Sequence, residues 1–531
     1  MSDAPTTPVA SRPEPVRLTP TPTVVAAIDV GASAMRLIVA QHLPGQRPQV
    51  LEEASRGVLL GRDTFTAGRI GATTVDASVR ALNAFHRMMD DYGVTRMRAV
   101  ATSAVREAAN ADAFLDRIRV RTGITLEVID GSEESRLTYL AVRDGLAGHA
   151  ALKAPSALLV EVGGGSLDVT RLNSGQPVQA GIFPLGAIRL RQRLSAWHGS
   201  HEQRLRLLTG QIDNAIGEIV NEVPTADASY VIALGSDVRY AASRLVDHGD
   251  QRVSEVPREA FLAFCDEIAQ HDEDSLVARF RLSPVSAETL VPAMLVYRAL
   301  VLSTVAHTVV VPEVSLRAGL LVDLVSDGTP EADFGPHVLA SAATLGARYR
   351  YDEAHARTVA RLSTRLFDLL AAEHALSPRD RLLLEVAALL HDIGRFVSLR
   401  GHHKHSLYLL EASEIFGLTR DDMSIVANIA RYHRRGLPQK SHPEFLRLDR
   451  DERVRVTKMA AMLRLANALD AEHEQKVSEI RVTEDGGAWV IDLEGRGDLT
   501  MERLAATSRA DLLVDVFGKQ VVIRGAGASV R

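Results

Sequence analysis

Two short segments of the sequence place a carboxylate and glycines directly after an apolar run. They are Asp29-Val-Gly31 and Glu161-Val-Gly163-Gly-Gly-Ser166, and each preceding run is typical of a buried strand. Backbone N–H groups of a tight turn point into one spot, and glycine lets a phosphate oxygen come close. The sequence therefore predicts two phosphate-binding turns, with a plain hairpin turn as the alternative for each segment taken alone.

Carboxylates beside the second turn indicate a cation. Glu161 and Asp168 flank the glycines, and Mg²⁺ prefers a few hard oxygen ligands together with the phosphates of a substrate. We therefore expect Mg²⁺ at this turn.

A third group of chemistry-bearing residues lies in the last third of the chain. An apolar run ends in His391-Asp392, His355 precedes it, and Asp470 follows it. In their order and helical setting, these four side chains resemble the metal ligands of HD-domain phosphohydrolases. Mixed histidine and carboxylate ligation suits Mn²⁺, Fe²⁺ or Zn²⁺ better than Mg²⁺.

Further histidines follow in His402-His403-Lys-His405 and in Arg431-Tyr-His433. Of these, His405 and His433 are candidate ligands of a second metal or of phosphate. A polar network that caps helices is the alternative.

The elements that must position these residues fall into a repeated pattern. Strand, glycine turn and strand occur twice, and Val231–Gly235 gives a third strand that ends in a turn. Such a duplication predicts two similar α/β lobes with a cleft between them. From about residue 331 the apolar residues follow a helical period, and strand patterns return near residue 480.

We predict five segments from these patterns. They are a disordered tail (1–22), lobe I (23–145), lobe II (146–330), an all-α domain (331–478) and a small α+β domain (479–531).

Bulk composition bounds the class of protein. The 531 residues include 46% hydrophobic residues and a single cysteine, Cys265, which excludes an intrachain disulfide and fits a reducing compartment. No apolar run is long enough for a membrane span, so we expect a cytoplasmic protein without a membrane partner. The net charge of -6 decides little, because phosphate binding depends on local donors.

Several motifs along residues 24–325 resemble the exopolyphosphatase / guanosine pentaphosphate phosphohydrolase (Ppx/GppA) family. In order they are Ala27–Leu37, Ala101–Arg106 with Asn110, Ile129–Leu137, Glu161–Ser166, Phe183–Leu190 and Leu316–Gly319. The resemblance implies two lobes of the actin and sugar-kinase (ribonuclease H-like) fold. The longer members of the family carry a helical extension like the one predicted here.

The resemblance also implies a role for each matched residue. Glu134 is the expected general base and Arg106 the expected clamp on the terminal phosphates. Glu161 and Asp168 stand at the carboxylates associated with Mg²⁺. The expected phosphate-binding residues of the three loops are Asp29, Gly31, Ser33, Arg36, Gly163, Gly164, Gly165, Ser166 and Gly235.

Departures from the family pattern leave the activity open. Ala32 and Ala34 replace donors of the first loop, and Asp237 puts a negative charge in the third. In addition, Glu161 replaces an aspartate, Ser286 an arginine and Ala318 a glutamate. Each lost hydrogen bond to a charged phosphate is worth roughly 1.5–3 kcal/mol.

Three functions stay open at this point. The first is hydrolysis of the terminal phosphate of inorganic polyphosphate or of the 5′ phosphate of guanosine pentaphosphate. The second is binding of polyphosphate or of guanosine tetra- and pentaphosphate without turnover. The third is hydrolysis of nucleotides at the metal site of the helical domain. No nucleic acid is expected as a partner, and the resemblance implies a homodimer.

Overall fold

The computed structural model describes residues 22–195, 199–247, 252–326, 330–434 and 436–525. All but the last residue of the predicted disordered tail (1–22) lies outside these ranges.

Lobe I is built on a mixed five-stranded sheet. Its strands are β1 (Thr23–Val30), β2 (Ala34–His42), β3 (Gln49–Gly57), β4 (Arg96–Ala101) and β5 (Glu127–Val128), in the order β3-β2-β1-β4-β5. Its helices are α1 (Leu60–Ala67), α2 (Ala72–Asp91), α3 (Ser103–Arg106), α4 (Ala111–Thr122) and α5 (Gly131–Gly145), and the short helix α6 (Ala150–Lys153) follows where lobe II begins. The strand predicted over Leu126–Ile129 is shorter in the structure. Only Glu127 and Val128 form β5, because only these two residues pair with the parallel strand β4.

Lobe II repeats the strand pattern on a six-stranded sheet. Its strands are β6 (Ala157–Val162), β7 (Leu167–Asn173), β8 (Gln176–Phe183), β9 (Tyr230–Leu234), β10 (Val253–Pro257) and β11 (Thr308–Pro312), in the order β10-β11-β9-β6-β7-β8. Its helices are α7 (Ala187–Ser195), α8 (His201–Glu222), α9 (Ser236–Leu245), α10 (Arg258–Ala269), α11 (Glu273–Phe280), α12 (Pro284–Leu302) and α13 (Leu316–Val325). In both lobes the glycine turn joins the first two strands, which are antiparallel.

Helix α12 is the one helix in the described ranges that is long and apolar enough to cross a membrane. Most of its apolar window is buried within lobe II, where Leu290, Met294 and Leu300 belong to the core.

The helical domain follows from Pro330. It consists of α14 (Pro330–Arg348), α15 (Glu353–Leu369), α16 (Ala371–His374), α17 (Pro378–Leu390), a 3-10 turn (Ile393–Phe396), α18 (His402–Glu411), α19 (Arg420–Arg431), α20 (Pro443–Arg447) and α21 (Arg450–Ala468). The helix predicted over Ser406–Phe416 instead begins at His402, directly after the left-handed Gly401, and ends at Glu411.

The C-terminal segment forms a three-stranded sheet with two helices. The elements are β12 (Val477–Asp485), β13 (Ala488–Gly495), α22 (Thr500–Arg509), α23 (Asp511–Phe517) and β14 (Gln520–Gly525). Its apolar side chains, including Ile480 and Leu513, share one buried cluster with the helical domain.

Helix α5 contacts both helix α13 and the helical domain. A Cβ atom on Gly319 of α13 would lie 1.9 Å from the Leu137 carbonyl oxygen, so the two helices touch backbone to backbone. Near this contact, Asp323 of α13 binds both Arg98 (2.7 Å) and Arg136 (2.9 Å). On the side of the helical domain, the Tyr139 ring lies edge-on against three aromatic rings, those of Phe334, His337 and Phe416.

We expect Gly319→Ala to destabilise the protein by about 1–3 kcal/mol, because the added methyl group must push α5 and α13 apart. The measurement is the melting temperature. Gly217→Ala is the matched control, since Gly217 lies within α8 with no neighbour inside 4 Å of an added Cβ. That variant should be neutral or stabilised by about 0.5–1 kcal/mol. Equal melting temperatures for the two variants would contradict the close contact.

Candidate functional site

The two glycine turns face each other across a cavity of about 450 Å³ between the lobes. In lobe I, Asp29 and Arg36 stand opposite each other across the β1–β2 ladder, with Arg36 Nη1 3.6 Å from Asp29 Oδ2. Burial raises the pKa of Asp29, and the Arg36 guanidinium opposes this shift. Gly31 closes the turn through its N–H bond to the Ala34 carbonyl, and Ser33 lines the cavity.

The lobe II turn leaves backbone donors free. Gly163 N–H donates to Ser166 O at 2.8 Å and closes the turn. The Gly163 and Gly164 carbonyls accept the first amides of α7, and the Gly165 carbonyl accepts from Arg189. Among the described residues, no acceptor is found for the amides of Gly164, Gly165 and Ser166. Three successive free N–H groups of this kind form an anion-binding nest.

A third loop completes the wall of the cavity. Gly235 has a φ of +116°, which glycine tolerates, and it starts α9. Asp237 in the first turn of α9 accepts from the Thr289 hydroxyl at 3.1 Å, and burial raises its pKa to about 6. Two arginines that the sequence did not single out, Arg239 and Arg317, also line the cavity. Arg317 lies within the matched motif Leu316–Gly319, so that motif could have identified it as a candidate from the sequence.

Glu134 lies in the first turn of α5 and lines the same cavity. Its side chain is 20% exposed, and Oε2 lies 3.7 Å from Arg106 Nη1. Burial raises the pKa of Glu134 to about 8; Arg106 opposes this shift, whereas the nearby carboxylates of Glu161 and Asp168 reinforce it. Oε2 has no hydrogen-bond partner among the described residues. The structure therefore brings the two predicted catalytic residues together.

A larger cavity of about 1160 Å³ adjoins the first and reaches the helical domain. Gly165 and Ser166 line both cavities, and Arg106 lines the larger one. The Arg420 N–H of α19 donates to Asp130 Oδ2 at 2.8 Å, and Asp130 is the residue that caps α5. The helical domain thus contacts the helix that carries Glu134.

The predicted Mg²⁺ ligands stand opposite each other on β6 and β7. Asp168 accepts from the Ser135 and Thr170 hydroxyls, and Glu161 accepts from Thr138 at 3.3 Å. Burial raises the pKa of Glu161 and brings that of Asp168 to about 7. Crowded, buried carboxylate oxygens of this kind fit a hard divalent cation that takes its other ligands from water and phosphate.

The histidines of the helical domain form a separate buried cluster. Within the described ranges, two groups each place three ligand atoms within 4.8 Å of one another, and both groups lie here. One group is Asp392, His402 and His433; the other is His355, Asp392 and His473. Burial lowers the pKa of His391 to about 3, which keeps its imidazole neutral.

The predicted ligand set is only partly gathered. Asp470 Oδ2 lies 2.8 Å from His355 Nδ1, so this aspartate contacts a histidine and belongs to neither group. His405 is half-buried and also lies outside both groups; His402 from the same helix takes its place. The sequence could not show whether His402 or His405 joins the cluster, because residues three apart are neighbours on one face of a helix.

Comparison with known proteins identifies a family for both parts of the chain. The family model described as Ppx/GppA phosphatase family matches residues 38–327, and the model of Ppx/GppA phosphatase, domain III matches residues 339–508. Exopolyphosphatase 1 of Mycobacterium leprae is 27% identical over 313 residues, covering 57% of this chain and 90% of that protein. A guanosine-5′-triphosphate,3′-diphosphate pyrophosphatase of Vibrio atlanticus is 24% identical over 482 residues, covering 88% of this chain and 92% of that protein.

A solved structure is also similar. The crystal structure of an exopolyphosphatase from Cytophaga hutchinsonii has a TM-score of 0.51 and 21% identity, and covers 58% of this chain and all of that one. It supports the fold of the two lobes. Since the family model spans more than half of the 531 residues, the chain belongs to the Ppx/GppA phosphatase family.

Proposed function

We propose that the cleft between the lobes hydrolyses the terminal phosphoanhydride bond of inorganic polyphosphate or of the 5′ phosphate chain of guanosine pentaphosphate. The observation that carries the proposal is the Glu134 carboxylate oxygen that lacks a hydrogen-bond partner among the described residues, in the cavity lined by the amide nest of Gly164–Ser166. Relatives named for each of these substrates support both candidates.

The residues of the cleft have different roles in this reaction. The nest donates N–H groups to phosphate oxygens, and Arg106 balances charge on the terminal phosphoryl group. Water attacks the terminal phosphorus, the bond to the bridging oxygen breaks, and the shortened chain leaves. The proton of the water passes to the ionised form of Glu134, which a cation held by Glu161 and Asp168 would favour by offsetting their charge. Glu161 and Asp168 would hold Mg²⁺, which neutralises phosphate charge when bound.

One observation favours binding without turnover. Asp237 places a carboxylate in the third loop, where it lines the cavity beside the expected phosphate site. This carboxylate accepts from Thr289, and burial raises its pKa to about 6, so it carries charge at neutral pH and opposes stabilisation of the negative charge on the reacting phosphoryl group. A protein that binds polyphosphate or guanosine pentaphosphate but turns it over slowly is therefore the second candidate.

The helical domain supplies a further candidate. Its His391-Asp392 pair directly follows α17 inside a buried histidine cluster, with His391 fully buried. This setting supports an HD-type domain that hydrolyses phosphate compounds with a bound transition metal.

We expect Glu134→Gln to lower phosphate release about 10²- to 10⁴-fold, because the general base is lost while the shape of the site is kept. Release from long-chain polyphosphate and from guanosine pentaphosphate is measured with Mg²⁺, and binding of both is measured by calorimetry. Binding should persist. Full activity in Glu134→Gln with loss in Asp392→Asn would move the chemistry to the helical domain, whereas binding without release by the unmutated protein would favour the binding-only function.

The raised pKa of Glu134 makes a prediction about stability. A carboxyl whose pKa rises from 4.5 unfolded to about 8 folded binds its proton more tightly in the folded state. Stability is therefore lost as pH rises through this window. In chelator, we expect Glu134→Gln to melt at the same temperature as the unmutated protein at pH 5 and at a higher temperature at pH 8.5. An equal difference at both pH values would count against a buried, proton-holding Glu134.

A further inference from the structure

Three buried histidines of the helical domain have the same hydrogen-bonding pattern. The Nδ1 atoms of His391, His402 and His433 lie 2.7, 3.0 and 2.7 Å from a backbone carbonyl three residues earlier. A carbonyl oxygen only accepts, so Nδ1 carries the proton in each ring. In the neutral imidazole, Nε2 is then left with a bare lone pair.

These lone pairs meet at one carboxylate oxygen. The Nε2 atoms of His402 and His433 are 3.1 Å apart and lie 3.2 and 3.4 Å from Asp392 Oδ1. His391 Nε2 lies 3.9 Å from the same oxygen and has no hydrogen-bond partner among the described residues. Acceptors placed this close repel one another unless a proton or a metal cation lies between them.

The distances match those between ligands of one metal ion. Bonds of about 2.0–2.2 Å to nitrogen and oxygen separate neighbouring ligand atoms by about 3.3–3.6 Å in a tetrahedron and about 2.8–3.1 Å in an octahedron. The three separations among His402, His433 and Asp392 fall within this span. His391 reaches it with a small shift of its ring.

The surrounding structure holds the donors in place. His391 ends α17, His402 begins α18 and His433 follows α19, so three elements meet at the site. The second oxygen of Asp392 binds Arg395 at 3.1 Å, which leaves Oδ1 to face the histidines. Nδ1 bonds of this kind fix the orientation of metal-binding imidazoles.

The other predicted ligands are already engaged. His355 Nδ1 pairs with Asp470 Oδ2 at 2.8 Å, and its Nε2 lies 3.1 Å from Asn467 Oδ1. The other oxygen of Asp470 accepts the Gln475 N–H at 2.7 Å. Asp470 belongs to neither ligand group, and His355 shares its group with Asp392 and His473 and not with His402 and His433.

We propose that His402, His433 and Asp392, with His391 as the fourth donor, bind one divalent first-row transition metal ion such as Zn²⁺, Fe²⁺ or Co²⁺. A set of three imidazoles and one carboxylate favours these ions over Mg²⁺ and Ca²⁺. His355 and Asp470 are not required for this ion, in contrast to the ligand set expected from sequence. The site stands apart from hydrolysis in the N-terminal cleft and holds even if that hydrolysis fails.

The test uses the full chain stripped with a chelator, then titrated with Zn²⁺ and Co²⁺. We expect about one tightly bound ion per chain by elemental analysis, visible Co²⁺ absorption, and a rise in melting temperature of about 5 °C or more. His402→Asn and His433→Asn should each weaken binding at least about 100-fold and lose the Co²⁺ absorption. Asp470→Asn should keep both.

His405→Asn is the matched control, because it removes a histidine from the same helix as His402 without touching the cluster. Circular dichroism of the metal-free variants separates loss of the site from loss of the fold. If His402→Asn does not fold, the proposal is tested on His433→Asn and His391→Asn, whose Co²⁺ absorption should be lost or weakened. An unmutated chain that binds no ion would overturn the proposal, as would metal loss in Asp470→Asn with retention in the folded His402 and His433 variants.

Discussion

The backbone contact between α5 and α13 is the constraint on which the arrangement of the molecule depends. It requires Gly319, because any side chain there would meet the Leu137 carbonyl. Arg98 and Arg136 then join Glu133 of α5 to Asp323 of α13 in a half-buried network of ion pairs. Buried pairs of this type specify geometry more than they add stability, since desolvation offsets their attraction.

The consequences of this contact reach both ends of α5. At its N-terminus, Glu134 is held in the cleft; its neighbour Glu133 points instead into the ion-pair network. Towards its C-terminus, Tyr139 packs against aromatic rings of the helical domain. One helix therefore sets the position of the expected base relative to the phosphate turns and docks the helical domain at the same time.

The cleft combines two opposing electrostatic demands. Its buried carboxylates raise one another's pKa values, while three arginines and the free amides of the glycine turn favour an anion. A cation and a phosphate chain bound together would satisfy both sets of groups. The alanines of the first turn remove side-chain donors, but they leave its backbone intact, so the loss is confined to a few hydrogen bonds.

The sequence by itself determined the strands and helices of the two lobes, the helical domain and the two glycine turns. Strand and helix periods are local, and a glycine turn after a buried strand carries its own donors. The roles expected of Glu134 and Arg106 came only from the resemblance, since an acidic residue on a helix is usually solvated surface.

Only the tertiary structure decided which histidines share a site. His402 and His405 are equivalent in sequence, and their separation depends on how α17, α18 and α19 meet around Asp392. Tertiary packing likewise paired Asp470 with His355 and brought Arg239 and Arg317 to the cleft. Such placements depend on contacts between residues far apart in the chain, and a local pattern of residue types does not encode those distances.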